Sequence, residues 1–498
     1  MRNRDAWQDG NSRPPSKARE AQAIKRAERV RSRRATTLLS AAVVWVAAAG
    51  PGRAELALQT LYEFFPSATS GTHPTCRLVE GDNGSFYGTT SYGGSSNVGT
   101  IFRFTSSGSL TTVFSFSNTN GSYPYGGLAL GDDRSFYGVT VHGGTNSFTG
   151  DQYGTVFKIT TNGTLTTLYW FGGTNGSYPD GITQGSDGNF YGTTSDGGAY
   201  GLGTVFKMAM DGTLTPLVSF NGANGCNPVC PSLAQGPDGS FYGTTWFGGN
   251  GFAGPYTGMG TVFRMQTNGM LTTLAYLNGT NGSRPFSDLT LGPDQNFYGT
   301  TTAGGAFGYG TVFKLAIDGT LVTILSFDGT NGAKPYAGVV RGPGGDFYGT
   351  TAYRKLGTNL TYGTVFKITT NGVLTSLACL DGTNGLNPFT DLTLGRDGNL
   401  YGAMADLNKN QGLDGSLGSL FRMVSPPVIQ SIARPEGTVA LVWTSFTNGV
   451  CRAEFKSAAP GTGWIPIGSN VAATGGTASL TTPREDAAQG YYRIVLLA

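Results

Sequence analysis

A short aromatic-glycine triplet, Phe-Tyr-Gly or Leu-Tyr-Gly, occurs seven times in this chain of 498 residues. Its tyrosines are 50, 54, 51, 56, 50 and 53 residues apart, at Tyr87, Tyr137, Tyr191, Tyr242, Tyr298, Tyr348 and Tyr401. A period of this length, made of short β-type segments and glycine turns, is typical of β-propellers and related arrays. The repeat therefore constrains the architecture far more than the chemistry.

Each repeat contains four segments that predict strands. In the best-preserved repeat the four segments are residues 181–184, 189–194, 203–208 and 214–220. Together they are rich in Thr, Val and aromatic residues. Asp-Gly pairs precede the second and fourth segments, and such pairs favour tight hairpins. Four antiparallel strands make one propeller blade, so the sequence predicts an all-β, seven-bladed β-propeller over residues 55–425.

The strand types do not occur in equal number. The third strand, Gly-Thr-Val-Phe-Lys or a close variant, begins seven times, at Gly99, Gly154, Gly203, Gly260, Gly310, Gly363 and Gly418. The fourth strand begins only six times, at Leu110, Leu165, Leu214, Leu271, Leu321 and Leu374. Residues 56–64 match a fourth strand but precede the first repeat. Because an open ring would expose a sheet edge, we expect this N-terminal strand to complete blade seven.

Length variation is confined to one side of each repeat. From the third-strand glycine to the next tyrosine the chain always takes 37 to 39 residues, whereas from the tyrosine to the third-strand glycine it takes 12 to 18. The variable loop between strands two and three shares a rim with the Thr-Asn-Gly-x-x-Pro connection between repeats, and surface loops commonly carry binding function. The predicted ligand-binding residues on this rim are Tyr92, His142, Trp246, Phe247, Tyr256 and Tyr353.

Two functions of different classes fit this rim. The first is a non-catalytic scaffold or binding protein that contacts an extracellular glycan or a surface protein. The second is a secreted carbohydrate-active enzyme in which two carboxylates run glycoside hydrolysis, with candidates Asp151, Asp180, Asp196, Asp288 and Asp391. The first is favoured because rim aromatics are plentiful, whereas nucleophile-elbow, zinc-protease and phosphate-loop motifs are missing. No catalytic residue, metal or cofactor is predicted.

Structural explanations compete with several of these features. The repeated Tyr, Phe and Gly residues are explained by packing between sheets, and His142 by a solvated position beside Gly143. Residues 406–414 place side-chain oxygens at alternate positions, as a calcium loop does. They lack the twelfth-position glutamate, and Lys409 would repel the ion, so an ordinary polar loop is favoured.

Residues 1–54 differ from the rest of the chain. Eleven basic residues precede a short apolar stretch over residues 36–49, which favours a secretory signal peptide with a long basic n-region. An uncleaved anchor helix is the alternative, although a comfortable span needs about 20 apolar residues. The remaining chain carries 21 basic and 26 acidic residues. This acidic balance excludes a nucleic-acid partner and fits a secreted or cell-surface monomer with no membrane span after signal removal.

Two further predictions concern a cysteine pair and the C-terminal residues. Cys226 and Cys230 share one inter-repeat connection, and in an oxidising compartment they could close a local disulfide. Residues 426–498 contain four alternating or apolar runs, beginning at Val439, Cys451, Trp464 and Tyr491. These runs, separated by Gly, Pro and Asn clusters, predict a small β-sandwich of the fibronectin-like type.

Units of the form Asp-Gly-Asn-Phe-Tyr-Gly-Thr-Thr, Gly-Gly, Gly-Thr-Val-Phe-Lys and Asn-Gly-Thr-Leu-Thr resemble the GloVer tandem repeat of bacterial choice-of-anchor proteins over residues 56–423. The resemblance implies a propeller on an exported or surface-attached protein with an interchangeable C-terminal sorting module, and it implies no catalytic residues. This chain departs from it in its sandwich-like tail. It also carries Arg354-Lys355 and Leu407-Asn408 where the unit has Gly-Gly.

Overall fold

The computed structural model describes residues 57–65, 70–144, 153–229, 232–342, 344–357, 359–380, 388–405, 417–424, 429–433, 438–444, 450–457, 465–472, 477–483 and 490–497. Every regular element within these ranges is a β-strand. The strands of residues 57–424 and those of residues 429–497 fall into two separate compact units.

Residues 57–424 form seven antiparallel sheets, which we call blades one to seven. Strand β1 is Ala57–Glu63. Blade one contains β2 Gly71–Pro74, β3 Val79–Glu80, β4 Phe86–Gly93, β5 Thr100–Phe104 and β6 Leu110–Ser115. Blade two contains β7 Ala129–Leu130, β8 Phe136–Thr140, β9 Thr155–Ile159 and β10 Leu165–Trp170. Blade three contains β11 Ser177–Gln184, β12 Phe190–Asp196, β13 Thr204–Met208 and β14 Leu214–Ser219.

The remaining blades repeat this order. Blade four contains β15 Ala234–Gln235, β16 Phe241–Thr245, β17 Thr261–Met265 and β18 Leu271–Tyr276. Blade five contains β19 Thr290–Leu291, β20 Phe297–Thr301, β21 Thr311–Leu315 and β22 Leu321–Ser326. Blade six contains β23 Val339–Arg341, β24 Phe347–Leu356, β25 Asn359–Ile368 and β26 Leu374–Cys379. Blade seven joins β27 Thr393–Leu394, β28 Leu400–Met404 and β29 Ser419–Val424 to β1.

In the six blades whose fourth strand comes from the same repeat, that strand begins at the predicted leucine. Five of the third strands begin one residue later than predicted, at a threonine. The preceding glycine is excluded because it adopts a left-handed backbone conformation, with a φ of 101° at Gly203. Most side chains avoid this region, which explains why the repeat carries glycine there.

The N-terminal strand closes blade seven, as predicted. Strand β1 pairs antiparallel with β29, from Ala57 opposite Val424 to Glu63 opposite Ser419. The next residue, Phe64, donates its backbone N–H to the Gly418 carbonyl at 2.8 Å. Phe220, which follows the fourth strand of blade three, makes the equivalent bond to Gly203 at 3.0 Å. Strand β1 is therefore the missing fourth strand in both pairing and register.

Aromatic contacts between neighbouring blades run around the whole set of sheets. The tyrosine of one triplet packs on the phenylalanine of the next, and in blades one to five the ring centroids are 4.1 to 4.3 Å apart. The same contact joins the last blade to the first, because Tyr401 lies 4.1 Å from Phe86. Tyr348 packs into the cluster that contains Leu400, which supplies the remaining junction. The seven blades thus form a closed ring.

The glycine of each triplet makes room for a ring from the third strand. A Cβ added at Gly243 would lie 2.6 Å from Cζ of Phe263 and 2.7 Å from Cδ2 of Leu233. Both neighbours are buried core side chains. A side chain here would displace a close-packed core, so packing requires the repeated glycine.

In blade six the Gly-Gly pair is replaced, and the structure describes the result. In blade five that pair, Gly304 and Gly305, has φ values of 79° and 77° and lies beyond the second strand, which ends at Thr301. In blade six Arg354 and Lys355 continue the strand, and they pair with Thr361 and Leu360. Strands β24 and β25 therefore extend into a hairpin of ten residues on each side.

An ion pair joins the turn before the second strand to the third strand, at the end of the blade opposite the variable loops. In blade three, Asp187 accepts hydrogen bonds from Tyr191 and Lys207, each at 2.9 Å. Burial alone would raise the pKa of Asp187, but the bonds from Lys207, Asn189 and Tyr191 outweigh it and lower the pKa to about 2. Similar Asp–Lys or Asp–Arg pairs occur in blades two, four and five, so this contact belongs to the scaffold.

The second unit contains two three-stranded antiparallel sheets. One joins β30 Ile429–Ala433, β31 Thr438–Thr444 and β34 Thr477–Pro483, and the other joins β32 Val450–Ser457, β33 Ile465–Ala472 and β35 Gly490–Leu497. Trp443 from the first sheet and Phe455 from the second lie in one core cluster. The four predicted runs are strands, whereas β30 and β34 were missed, because β30 is only five residues long and four of the seven residues of β34 are Ser or Thr.

Candidate functional site

The rim that carries the variable loops is built on one repeated backbone feature. The residue before the proline of each described connection has a left-handed φ of 50° to 58°. Its N–H donates to a carbonyl just ahead of the third strand at 2.8 to 2.9 Å. The scaffold fixes this backbone, yet five different residue types occupy the six described positions: His73, Tyr123, Tyr178, Asn227, Arg284 and Lys334.

Two of the predicted site residues join these side chains in blades one to three. Tyr92 lies between His73 and Tyr123, with ring centroids 5.2 and 5.3 Å away. His142 lies between Tyr123 and Tyr178, at 5.7 and 5.0 Å. Five rings therefore form a continuous edge-to-face series, which we call the aromatic belt. His142 is a partly buried member of this belt.

The equivalent positions in blades three, four and six make polar or cation–π pairs. Asp196 accepts a hydrogen bond from Asn227 at 2.7 Å. The Arg284 guanidinium lies 5.7 Å from the Phe247 ring centroid, and Lys334 Nζ lies 5.7 Å from that of Tyr353. Tyr92, His142, Phe247 and Tyr353 thus occupy one repeat position, and each faces a pre-proline residue.

A second series of rings joins blades four to seven. Trp246 packs on Phe286 at 5.5 Å, Phe286 on Tyr336 at 5.7 Å, and Tyr336 on Phe389 at 5.2 Å. The last three directly follow the connection prolines that lead into blades five, six and seven. All four side chains are half-buried or more. We call this series the collar.

Charged side chains from distant blades interact with one another. Asp288 accepts hydrogen bonds from the backbone N–H and the hydroxyl of Ser232, both at 2.6 Å. Asp391 accepts one from the backbone N–H of Gly338. Asp288, Asp391 and Arg77 belong to blades five, seven and one, yet they interact electrostatically. Blades that are not neighbours in a ring can meet only at its axis, so this is an axial cluster.

The pKa values of both axial carboxyl groups are raised above the usual value for aspartate. Burial is the main cause of the raised pKa of Asp288, and the charge of Asp391 adds to it, whereas Ser232 and Arg77 oppose it. Burial also raises the pKa of Asp391, against the opposing effects of Arg77 and Gly338. A buried pair of this kind favours the form that carries one negative charge.

The other predicted site residues are spread more widely. Trp246 belongs to the collar, and Phe247 is a buried core residue with only 7% of its surface exposed. Tyr256 is exposed in the blade-four loop and packs on Phe247 at 6.0 Å. Cys226 is a buried thiol that donates to Asn227. Cys230, Asp151 and the loop of residues 406–414 lie outside the described residues, so the disulfide stays a prediction.

Sequence reasoning missed the residues on either side of the connection prolines. Arg284 and Phe286 flank one such proline, and Lys334 and Tyr336 flank the next. A usable signal was present, because these positions vary while the surrounding Asn-Gly-x-x-Pro motif recurs in all six connections between repeats. Asp288 and Asp391 were predicted on the rim, but they lie at the axis.

The sequence profile of the Gloeobacter/Verrucomicrobia repeat matches residues 52–184, 136–255 and 253–432. These matches together cover the seven blades and most of the chain. The chain belongs to the Gloeobacter/Verrucomicrobia repeat family. The resemblance drawn from the repeat motifs is thereby confirmed. No curated protein matches this family member.

Several solved structures are similar to this Gloeobacter/Verrucomicrobia repeat protein in arrangement. A fungal alcohol oxidase of the AA5 family in complex with copper is 14% identical, with a TM-score of 0.47, over 89% of this chain and 96% of that one. A gluconolactonase from Xanthomonas campestris is 15% identical, with a TM-score of 0.37, over 60% of this chain and 85% of that one. A protein of unknown function from Bacteroides caccae is 12% identical, with a TM-score of 0.36, over 58% and 93%.

The described residues lack two further features. They contain no group of three or more His, Cys, Asp or Glu side chains suited to holding a metal ion. They also contain no helix with the length and apolar character that a membrane crossing requires.

Proposed function

We propose that this protein is an exported, non-catalytic repeat scaffold that binds an extracellular glycan or a surface protein through the rim of its ring. In this proposal residues 57–424 are a seven-bladed β-propeller and residues 429–497 a fibronectin-like sandwich. The protein acts as a secreted or cell-surface monomer, without a cofactor or a nucleic-acid partner.

One observation carries this proposal. At the pre-proline position the backbone is the same in six connections, while the side chains are His73, Tyr123, Tyr178, Asn227, Arg284 and Lys334. A left-handed backbone costs a non-glycine residue about 1–2 kcal/mol, and asparagine or glycine would adopt it more easily. The scaffold does not need these varied side chains, so we attribute them to recognition, which loops on a rigid scaffold commonly perform.

The axial cluster favours one second candidate, a carbohydrate-active enzyme. Two interacting, buried carboxyl groups with raised pKa values are often found in catalytic sites. Glycoside hydrolysis needs a protonated acid and an ionised partner. Against this, both Asp288 oxygens accept hydrogen bonds from Ser232, which holds the carboxyl group in place. This leaves Asp288 poorly arranged to donate a proton.

A paired assay separates the two candidates. The purified protein is applied to a glycan array and to intact bacterial cells, and the same polysaccharides are then incubated with it and analysed for released sugars. Binding without turnover, unchanged in Asp288→Ala, supports the scaffold. Asp196→Ala is tested alongside it, because Asp196 is a rim carboxylate outside the axial cluster. Turnover that either substitution abolishes would favour the enzyme and overturn the first proposal.

A further inference from the structure

Two basic side chains lie close to the collar in the sector of blades four to six. The rings of Trp246, Phe286, Tyr336 and Phe389 form one continuous series of contacts. Arg284 immediately precedes Pro285 and Phe286 along the chain, and its charge acts on Tyr336. Lys334 likewise precedes Pro335 and Tyr336. Half-buried aromatic surface and basic groups therefore lie together on one sector of the inner rim.

The requirements of folding do not explain why Arg284 and Lys334 occupy these two positions. Arg284 and Lys334 have left-handed φ values of 55° and 50°, where long side chains are disfavoured. In the described part of the chain neither takes part in an ion pair, although each lies over an aromatic ring. A strained backbone that presents basic groups with no acidic partner indicates a role outside the scaffold.

Trp246 adds an independent observation. Its Nε1 is buried and has no hydrogen-bond partner among the described residues. Buried donors are normally satisfied, and each exception calls for an explanation. A polar ligand group that enters at the collar beside Phe286 would satisfy this donor after a small shift of the indole.

We propose that this sector binds an anionic oligosaccharide. The flat apolar faces of sugar rings suit the half-buried collar, and a few fixed polar groups set orientation, as in other ligand sites. Carboxylate or sulfate groups on the sugar would pair with Arg284 and Lys334, and planar guanidinium groups match such anions well. This inference rests on the proposed binding function and names its ligand class.

The charge balance of the sector supports an anionic rather than a cationic ligand. Arg284 and Lys334 supply two positive charges on the rim, whereas in the axial cluster Arg77 opposes the buried carboxyl groups of Asp288 and Asp391. Burial disfavours ionisation of both carboxyl groups. A neutral glycan would leave the two rim cations without a role, so charge on the sugar is the specific feature of this inference.

The test uses three probes with the purified full chain: hexagalacturonate for carboxylate, a sulfated dextran oligosaccharide for sulfate, and neutral cellohexaose. Isothermal titration calorimetry at low and high salt gives each affinity. We expect at least one anionic probe to bind at least about tenfold more tightly than cellohexaose, and its affinity to fall as salt rises. The stronger of the two anionic probes identifies the charged group.

Matched variants locate the site. Arg284→Asn and Lys334→Asn remove the charge but suit a left-handed backbone, so each should keep its stability while weakening binding about five- to tenfold. Phe286→Ala should weaken binding about tenfold or more. The control is Lys355→Ala, because Lys355 Nζ lies 5.8 Å from the Tyr309 ring, outside the collar. This variant should bind as the wild type does.

Three results would overturn the inference. Equal, salt-insensitive binding of all probes would remove the role of charge. Tight anionic binding that survives both asparagine substitutions would place the site elsewhere. Binding of other array glycans, but of neither anionic probe, would refute the ligand class and leave the scaffold proposal standing. If no glycan and no cell surface binds at all, the scaffold proposal itself fails.

Discussion

Replacing Phe64 by alanine tests whether the N-terminal strand closes the ring. Phe64 is fully buried and packs on Phe102 of blade one, with ring centroids 5.6 Å apart. Phe220 is its equivalent after blade three, also fully buried, and lies 5.4 Å from Phe263 of blade four. The two side chains have matching surroundings, except that only Phe64 joins the last blade to the first.

The expected loss follows from this burial. Truncating a buried phenylalanine to alanine removes its apolar contacts and leaves a cavity, at a cost of about 3–5 kcal/mol. Because the environments match, Phe64→Ala and Phe220→Ala should cost the same within about 1 kcal/mol. With an m-value of about 3 kcal/mol per molar urea, each midpoint should fall by about 1–1.7 M.

Urea unfolding followed by tryptophan fluorescence measures both variants under identical conditions. Gel filtration without denaturant checks that each remains compact. If Phe64→Ala costs less than about 1 kcal/mol while Phe220→Ala costs about 3 kcal/mol or more, then strand β1 does not close the ring. The inferred contact between blades seven and one would then be wrong.

Three further predictions concern packing and charge. Gly243→Ala should lower stability by about 1–3 kcal/mol because its Cβ would meet Phe263, whereas Gly344→Ala, with no atom within 4 Å, should be near neutral in the same urea assay. The pKa of Asp288 rises from 3.8 to about 7 on folding, so the folded state keeps a proton that the unfolded state loses, and stability should fall between pH 4 and 7 by on the order of 2–4 kcal/mol. Asp288→Asn should flatten this pH dependence, and a wild-type slope in the variant would contradict the cause. Lys207→Met should cost less than about 1 kcal/mol, since the side chains of that ion pair are 30% and 35% exposed. Its effect should disappear as pH falls through 3.8 towards 2, where Asp187 becomes protonated.

The sequence predicted most of the blade architecture because the information is local and repeated. Leucine positions located the fourth strands, and the unequal strand count identified β1 as a partner of β29, far away in the chain. The candidate site was predicted only in part. Tyr92 and His142 do join other rim rings, but Arg284 and Phe286 were overlooked because length variation points to the loops within each blade rather than to the connections between blades.

The sequence alone determined the number of blades, the strand order and the need for glycine beside each tyrosine, since these follow from spacing and side-chain volume. Only the tertiary structure decided which side chains meet across the ring. Asp288, Asp391 and Arg77 come from three different repeats, and none has a local pattern that indicates the others. Their proximity arises because closing the ring brings the innermost strands of all seven blades to one axis, a geometric consequence that no short-range pattern encodes.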